Sequence, residues 1–398
     1  MKKVLFIFTF ISLLFISCKK NIVVHDAQRH AIIDIPSISF RSISDRDLVM
    51  IAEFADSVSH IRLETTDESL IGRVSQILFL DSLLIIQDRQ THSVLFFDKG
   101  GTFINKINRR GSGPGEYVSM TRVMLNPDSR QIMVFDGTSR KMVFYNFDGT
   151  FIKEITQFAD GAIIRDIINL PNGNFLCYNY DQNLAHTHSG LWEVDSNGVY
   201  VRTLLPPNTG YPFIANLHQS YLFHLSNGVG LAAGDVNVIY HFRQDTLTAF
   251  LSYSIRNRTS VEDIRNRTQH RNRYRRETSE FVRKSMSYEK GNYIFTEWSG
   301  DGGIMLISVY SKRDDNIVAI GLPVFQSSHL ATFTGSFVPS NDVNSLVTIT
   351  NGDDVARYLS SPSTSEMVRS KLTELTHGMS ERDIDDMNPI IQILHIRQ

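Results

Sequence analysis

A segment of the chain recurs about every four dozen residues, and that interval restricts the fold more than any other feature. Val94-Leu95-Phe96-Phe97-Asp98-Lys99-Gly100-Gly101-Thr102-Phe103-Ile104 shares its plan with Met142-Val143-Phe144-Tyr145-Asn146-Phe147-Asp148-Gly149-Thr150-Phe151-Ile152. Both are an apolar strand, a turn ending in Gly-Thr, and a second strand opening with Phe-Ile. Residues 191–201 form a third copy around Asn197-Gly198, and residues 238–247 a weaker fourth around Gln244-Asp245. The turns at Gly101, Gly149, Gly198 and Asp245 are spaced 48, 49 and 47 residues apart. A fifth strand and turn, ending at Asp314, lies 69 residues further on, which leaves about 21 inserted residues.

Each unit also carries two strands upstream of that hairpin. Before the first come Gln76-Ile77-Leu78-Phe79-Leu80 and Leu83-Leu84-Ile85-Ile86, divided by Asp81-Ser82. Before the second come Val123-Met124-Leu125 and Gln131-Ile132-Met133-Val134-Phe135, divided by a turn through Asn126-Pro127-Asp128. Short β-rich runs between Pro, Asn, Asp and Gly turns are strand signals, and four strands in such a span make a propeller blade. No helical period is visible before residue 256. From His60 to Gln398 there are 339 residues; less the insertion and a helical stretch at 363–377, close to six units remain. The expected fold is therefore all-β: a six-bladed β-propeller of four-stranded antiparallel blades over residues 36–398. A basic insertion is expected at about 256–290 and a short helical one at about 363–377. An open ring would expose a sheet edge. The C-terminal run 388–396 lacks an outer neighbour and residues 58–63 lack inner ones, so the two ends are expected to complete one blade.

The N-terminus sets the compartment. Lys2 and Lys3 precede residues 4–16, which are apolar apart from Thr9 and Ser12, and Phe15-Ile16-Ser17-Cys18 follows. Such a stretch is too short to span a bilayer and reads as a signal peptide, residues 1–17. A small residue before Cys18 resembles the bacterial lipobox, although Phe15 stands where Leu is commoner. Cys18 is thus the expected lipidation site, its acyl chains making the membrane a partner, and residues 18–35 are the lipidated cysteine and a polar tether. Lys19 and Lys20 are no inner-membrane retention signal, nor do they supply the acidic run of surface-exported proteins. The outer membrane, periplasmic side, is the expected address. The only other cysteine is Cys177, so no intramolecular disulfide can form and a core must supply stability.

Three landmarks carry a family resemblance. Arg109-Arg110-Gly111-Ser112-Gly113-Pro114-Gly115-Glu116-Tyr117 contains Gly-x-Gly-Pro-Gly-Glu-Tyr; residues 60–72 make an opening segment and Asn388-Pro389 a closing one. Together they resemble the six-bladed propeller lipoproteins common in gut-associated Gram-negative bacteria, relatives of NHL-type propellers. The resemblance implies the fold and is silent on chemistry.

The 111–117 loop is the leading candidate site, with Arg109, Arg110, Glu116 and Tyr117 as ligand-binding residues at a channel mouth. The competing reading is a tight turn, type II at Pro114-Gly115, whose glutamate caps backbone N–H groups. Between 256 and 284, ten Lys and Arg face four acids, which suits a solvated helix between blades or a contact with lipid headgroups or acidic glycan. His186-Thr187-His188 lacks a third ligand, so no metal is expected, and no motif calls for a cofactor. Trp298-Ser299-Gly300-Asp301-Gly302-Gly303 reads as a hairpin turn and Cys177 as a core thiol. The carboxylates Asp353, Asp354, Asp383, Asp385 and Asp386 read as loop surface. A net charge of −2 offers no field for nucleic acid, and a monomer is expected. The expected function is a binding or scaffold module holding a glycan, peptide or protein at the propeller face or central channel. The alternatives are a glycan lyase or hydrolase, and an envelope sensor partner.

Overall fold

In the computed structural model, residues 29–33, 48–126, 128–179, 188–206, 221–232, 238–255, 282–300 and 305–398 are described. They form six sheets. Blade I is β4 (Val74–Leu80), β5 (Leu83–Asp88), β6 (Ser93–Asp98) and β7 (Phe103–Ile107). Blade II is β8 (Arg122–Asn126), β9 (Gln131–Asp136), β10 (Lys141–Asn146) and β11 (Phe151–Ile155). Blade III is β12 (Asp166–Asn169), β13 (Phe175–Asn179), β14 (Gly190–Val194) and β15 (Tyr200–Leu205). Blade IV is β16 (Leu222–Leu225), β17 (Gly228–Leu231), β18 (Val238–Arg243) and β19 (Thr246–Ile255). Blade V is β20 (Val282–Lys290), β21 (Tyr293–Gly300), β22 (Met305–Ser311) and β23 (Asn316–Val324). Each is an antiparallel meander. First strands neighbour one another around the axis, β8 against β12, β12 against β16 and β16 against β20.

The ring closes as the sequence implies. Blade VI takes β24 (Ser336–Phe337), β25 (Ser345–Thr350) and β26 (Ile390–Ile396) from the C-terminal part, and β3 (Ala55–Arg62) as its outermost strand. Asn388 clasps the seam: its Nδ2 donates to the carbonyls of Glu64 and Ser69, at 2.8 and 2.9 Å, and its Oδ1 accepts from Ile71 N at 2.9 Å. The opening and closing landmarks of the sequence are thus joined side chain to backbone. Near the axis, Asn341 bridges to β4 through both the N–H and the carbonyl of Phe79.

The repeating Gly turn has a physical cause. Asp98 accepts hydrogen bonds from Gly100 N and Thr102 N, Asp148 from Thr150 N, and Asp195 from Asn197 N and Val199 N. Such side-chain bonds fold the backbone into a turn whose next residue needs φ > 0. Gly101, Gly149 and Gly198 have φ of 89°, 85° and 83°. At Gly101 a Cβ would also lie 2.1 Å from the Arg62 carbonyl oxygen, so the turn presses on the outermost strand of the preceding blade.

Two features depart from the expected architecture. β1 (Arg29–Ile33), inside the stretch read as tether, pairs in parallel with β19, and β2 (Leu48–Met50) pairs in parallel with β23. Blades IV and V therefore have five strands. Parallel edge strands come from distant chain and leave no hairpin signal, which is why the pattern conceals them. The helical insertion is also larger: α1 (Gly352–Ser360), α2 (Glu366–Leu375) and α3 (Glu381–Asp385) link β25 to β26. Their apolar sides share a cluster with Phe333 and Ile390. Of the basic insertion, residues 256–281 lie outside the described residues, whereas residues 282–290 form β20.

One apolar cluster fills each junction between blades; that of blades II and III holds Phe135, Phe158, Phe175, Trp192 and Cys177. Cys177 is fully buried and burial pushes its thiol pKa well up, which makes it inert. Blade V buries an acid. Glu297 is 2% exposed; Tyr288 donates to its Oε1 at 3.2 Å, and its Oε2 accepts no bond. Burial raises its pKa from 4.5 to about 7, against the opposing pull of the Tyr288 bond. Between those values the folded chain holds a proton the unfolded chain has lost, so stability falls as pH rises through the window. Glu297→Gln is isosteric and uncharged. Thermal unfolding at pH 8 is expected to show it more stable than the parent by about 1–3 kcal/mol, with the gap closing by pH 5. A gap independent of pH would refute the assignment.

Candidate functional site

The Gly-rich loop is held by its own bonds. Glu116 N donates to Gly113 O at 3.1 Å and Gly115 has φ 69°, the type II geometry expected at Pro114-Gly115. Glu116 Oε2 accepts from Gly113 N at 2.9 Å. Lys141 of β10 donates to Gly113 O and pairs with Glu154 of β11, whose carboxylate accepts from Gly115 N at 3.0 Å. Tyr145 donates to Gly115 O at 2.7 Å. Tyr117 is fully buried, donates to His92 O at 2.8 Å, and burial pushes its pKa up to about 12. Arg109 and Arg110 are exposed. None of Arg109, Arg110, Glu116 and Tyr117 lines the axial cavity.

That cavity lies elsewhere. It measures about 1030 Å³ and opens at the C-terminal ends of the first strands of blades I to IV, where Leu80, Asn126, Asn169 and Leu225 reach it. Side chains two apart lie on one side of a strand. On β4 this set is Gln76, Leu78 and Leu80; on β8 it is Arg122, Met124 and Asn126. On β12, Ile168 lines the cavity and is followed in step by Leu170, while Asp166 precedes it. The first member of each set is polar, the second apolar. His224 of β16 completes the wall.

The polar members close the floor. Arg122 reaches Asp166 at 3.5 Å and donates to Leu222 O at 3.1 Å. Asp166 in turn accepts from Tyr221 N and Leu222 N, both at 2.7 Å, so three blades are laced together. Gln76 is 5% exposed and its Oε1 accepts no hydrogen bond from the protein. His224 is driven to a pKa of about 4, first by burial and then by the charges of Arg122 and Lys290, so it is neutral at physiological pH. The mouth carries amides, hydroxyls and charges of both signs, among them Gln131, Asn172, Asn227, Ser129, Asp128 and Lys153. Sequence reasoning passed over Gln76, Arg122 and His224. Their signal is a polar residue inside an otherwise apolar first strand.

The remaining candidates have structural roles or lie outside the described residues. Asp353 and Asp354 pair with Arg357, Asp386 with Arg382, and Asp383 forms a capping box with Ser380. His186 is not described, and His188 stacks on Tyr200 with ring centroids 4.1 Å apart. Among the described residues no three His, Cys, Asp or Glu side chains converge as metal ligands, and no helix is long and apolar enough to cross a membrane. Of the expected turn, Trp298, Ser299 and Gly300 lie in strand β21, with Trp298 Nε1 donating to Ser308 Oγ at 2.8 Å, and residues 301–303 are not described.

Six sheets around an axial cavity define a six-bladed β-propeller. The chain belongs to the family described as a domain of unknown function, DUF4934, which matches residues 32–395. In structure it is similar to a Bacteroides fragilis protein classed as exported, at 17% identity and a TM-score of 0.72, covering 93% of this chain and 99% of that one. It is also similar to a member of the DUF4221 family from Bacteroides vulgatus, at 12% identity and a TM-score of 0.51, covering 85% and 96%. At these identities the likeness speaks for the fold. No curated protein matches the chain.

Proposed function

We propose that the protein is a lipid-anchored binding module of the cell envelope, tethered through Cys18, whose ligand seats in the axial cavity. The observation that carries this is the cavity itself, about 1030 Å³ and built by four blades, with an apolar wall and a polar floor and mouth. Concave sites of that size and mixed lining are what small ligands and chain ends occupy. The lipobox-like Phe15-Ile16-Ser17-Cys18 supports the envelope address, as does the likeness to a protein classed as exported. The Gly-x-Gly-Pro-Gly-Glu-Tyr loop supports kinship with NHL-type lipoprotein propellers, oriented here to the periplasm from the outer membrane.

The test narrows the mouth from two blades. The double variant Leu80→Trp/Asn126→Trp alters partly exposed cavity positions. It is expected to weaken binding of envelope glycans or peptides at least tenfold, read by calorimetry, while melting within a few degrees of the parent. Unchanged affinity would remove the cavity from the mechanism. Turnover of a bound glycan would instead establish the lyase or hydrolase reading.

A further inference from the structure

The cavity floor restricts what it can hold. Gln76 is buried on β4 in blade I and borders the cavity, and its covered Oε1 takes no hydrogen bond. Buried polar atoms are ordinarily bonded, so an unbonded one beside a cavity is a place where a turn of the side chain would meet a ligand's donor. His224 stands on β16 in blade IV, across a ring of six, and offers one donor and one acceptor because its imidazole is neutral. The nearby cations are already engaged. Arg122 is bonded to Asp166 and the Leu222 carbonyl, and Lys290 to the Ser340 hydroxyl and the Asp342 carbonyl. On the floor a carboxylate would therefore find no uncommitted cation, and a cation would meet Arg122.

Above the floor, Leu78, Met124 and Ile168 present an apolar collar. A pyranose ring has this same division, with C–H faces for the collar and hydroxyls for amides and imidazole. A hydroxyl both donates and accepts, so it can answer a glutamine and a neutral histidine at once. Resting on the reading of the cavity as the binding site, we infer that its floor takes the end of an uncharged oligosaccharide. A sugar hydroxyl donates to Gln76 Oε1 and another bonds the His224 ring. The amides at the mouth then meet the following sugar units.

The experiment uses the full mature chain and calorimetry with cellotriose, maltotriose and chitotriose, set against trigalacturonate and trialanine. At least one neutral trisaccharide is expected to bind, and Gln76→Leu to weaken it at least tenfold. The same substitution removes an open buried acceptor, so its melting temperature is expected to rise by about 2 °C. His224→Asn, which keeps a donor and an acceptor, should retain more affinity than His224→Leu. Melting lowered by several degrees in Gln76→Leu would show a structural glutamine and overturn the inference. Binding of trigalacturonate or trialanine alone, blocked by the double tryptophan variant, would overturn it and leave the cavity reading standing. If no probe binds in a manner that variant blocks, both readings fall.

Discussion

A chain ended at Pro389 is expected not to fold. Removing residues 390–398 deletes β26, which pairs with β25 on one side and with β3 on the other. Five apolar side chains go with it: Ile390, Ile391, Ile393, Leu394 and Ile396, all less than 9% exposed. At about 1.5–3 kcal/mol each, their burial stabilises the native state by about 8–15 kcal/mol, as much as the whole stability of a typical domain. Nor is the damage confined to blade VI, because a broken ring leaves two open edges and no partner for β3. Circular dichroism of the truncated chain should show no cooperative thermal transition. Asn388→Ala is the milder form of the same change. It leaves the Ile71 N–H and the Ser69 carbonyl without their side-chain partner and the Glu64 carbonyl with the Ser69 hydroxyl alone, and urea unfolding should report a loss of about 2–4 kcal/mol. A cooperative melt within a few degrees of the parent for the truncated chain would mean that the ring does not close through this strand.

What the sequence makes legible is whatever recurs. Gly101, Gly149 and Gly198 recur because three turns meet one geometric demand, a positive φ against the preceding blade. Closure is legible because β26 and β3 each read as a strand without neighbours. Elements that answer a single local need are harder to see. β1 and β2 are short, and their parallel partners lie over two hundred residues away. Of the three helices only α2 lies in the expected 363–377 stretch, since α3 has only five residues and α1 follows Asn351, whose side chain makes no cap bond. Ser365 caps α2, and the Ser380–Asp383 pair caps α3. The cavity is hidden for a different reason. Gln76, Arg122, Asp166 and His224 are one per blade, about a repeat apart, so no local motif exists to be recognised. In the most conspicuous motif, residues 111–117, Gly113, Gly115, Glu116 and Tyr117 hold backbone in place. Gly115 needs its φ and lies against Phe151, Glu116 caps Gly113 N, and Tyr117 seals the junction of blades I and II.

Asp136 is expected to be the most sensitive single position outside the seam. It ends β9, is fully buried, and gathers the loop before β8 to the turn after β9. Its Oδ2 accepts from Val118 N at 2.7 Å, and its Oδ1 from Ser119 Oγ, Thr138 N and Ser139 N at 2.8, 2.9 and 3.1 Å. Asp88 plays the matching part in blade I, accepting from Gly72, Arg73 and Gln90 N–H groups, which shows the arrangement to be part of the blade design. Asp136→Ala strands several backbone donors at once and is expected to cost about 3–5 kcal/mol in urea unfolding at pH 7. Burial by itself would raise the Asp136 pKa, but the N–H groups of Ser139 and Val118 and the Ser119 hydroxyl outweigh it and hold the pKa below its ordinary 3.8. The carboxylate therefore contributes fully above about pH 4, and its contribution fades as pH falls through the folded value. Asp136→Asn keeps the shape but loses the charge, so its deficit at pH 7 should be smaller than that of alanine and should shrink further at pH 3. An alanine variant within 1 kcal/mol of the parent at pH 7, or an asparagine deficit that does not change with pH, would show that this carboxylate does not fasten the blade.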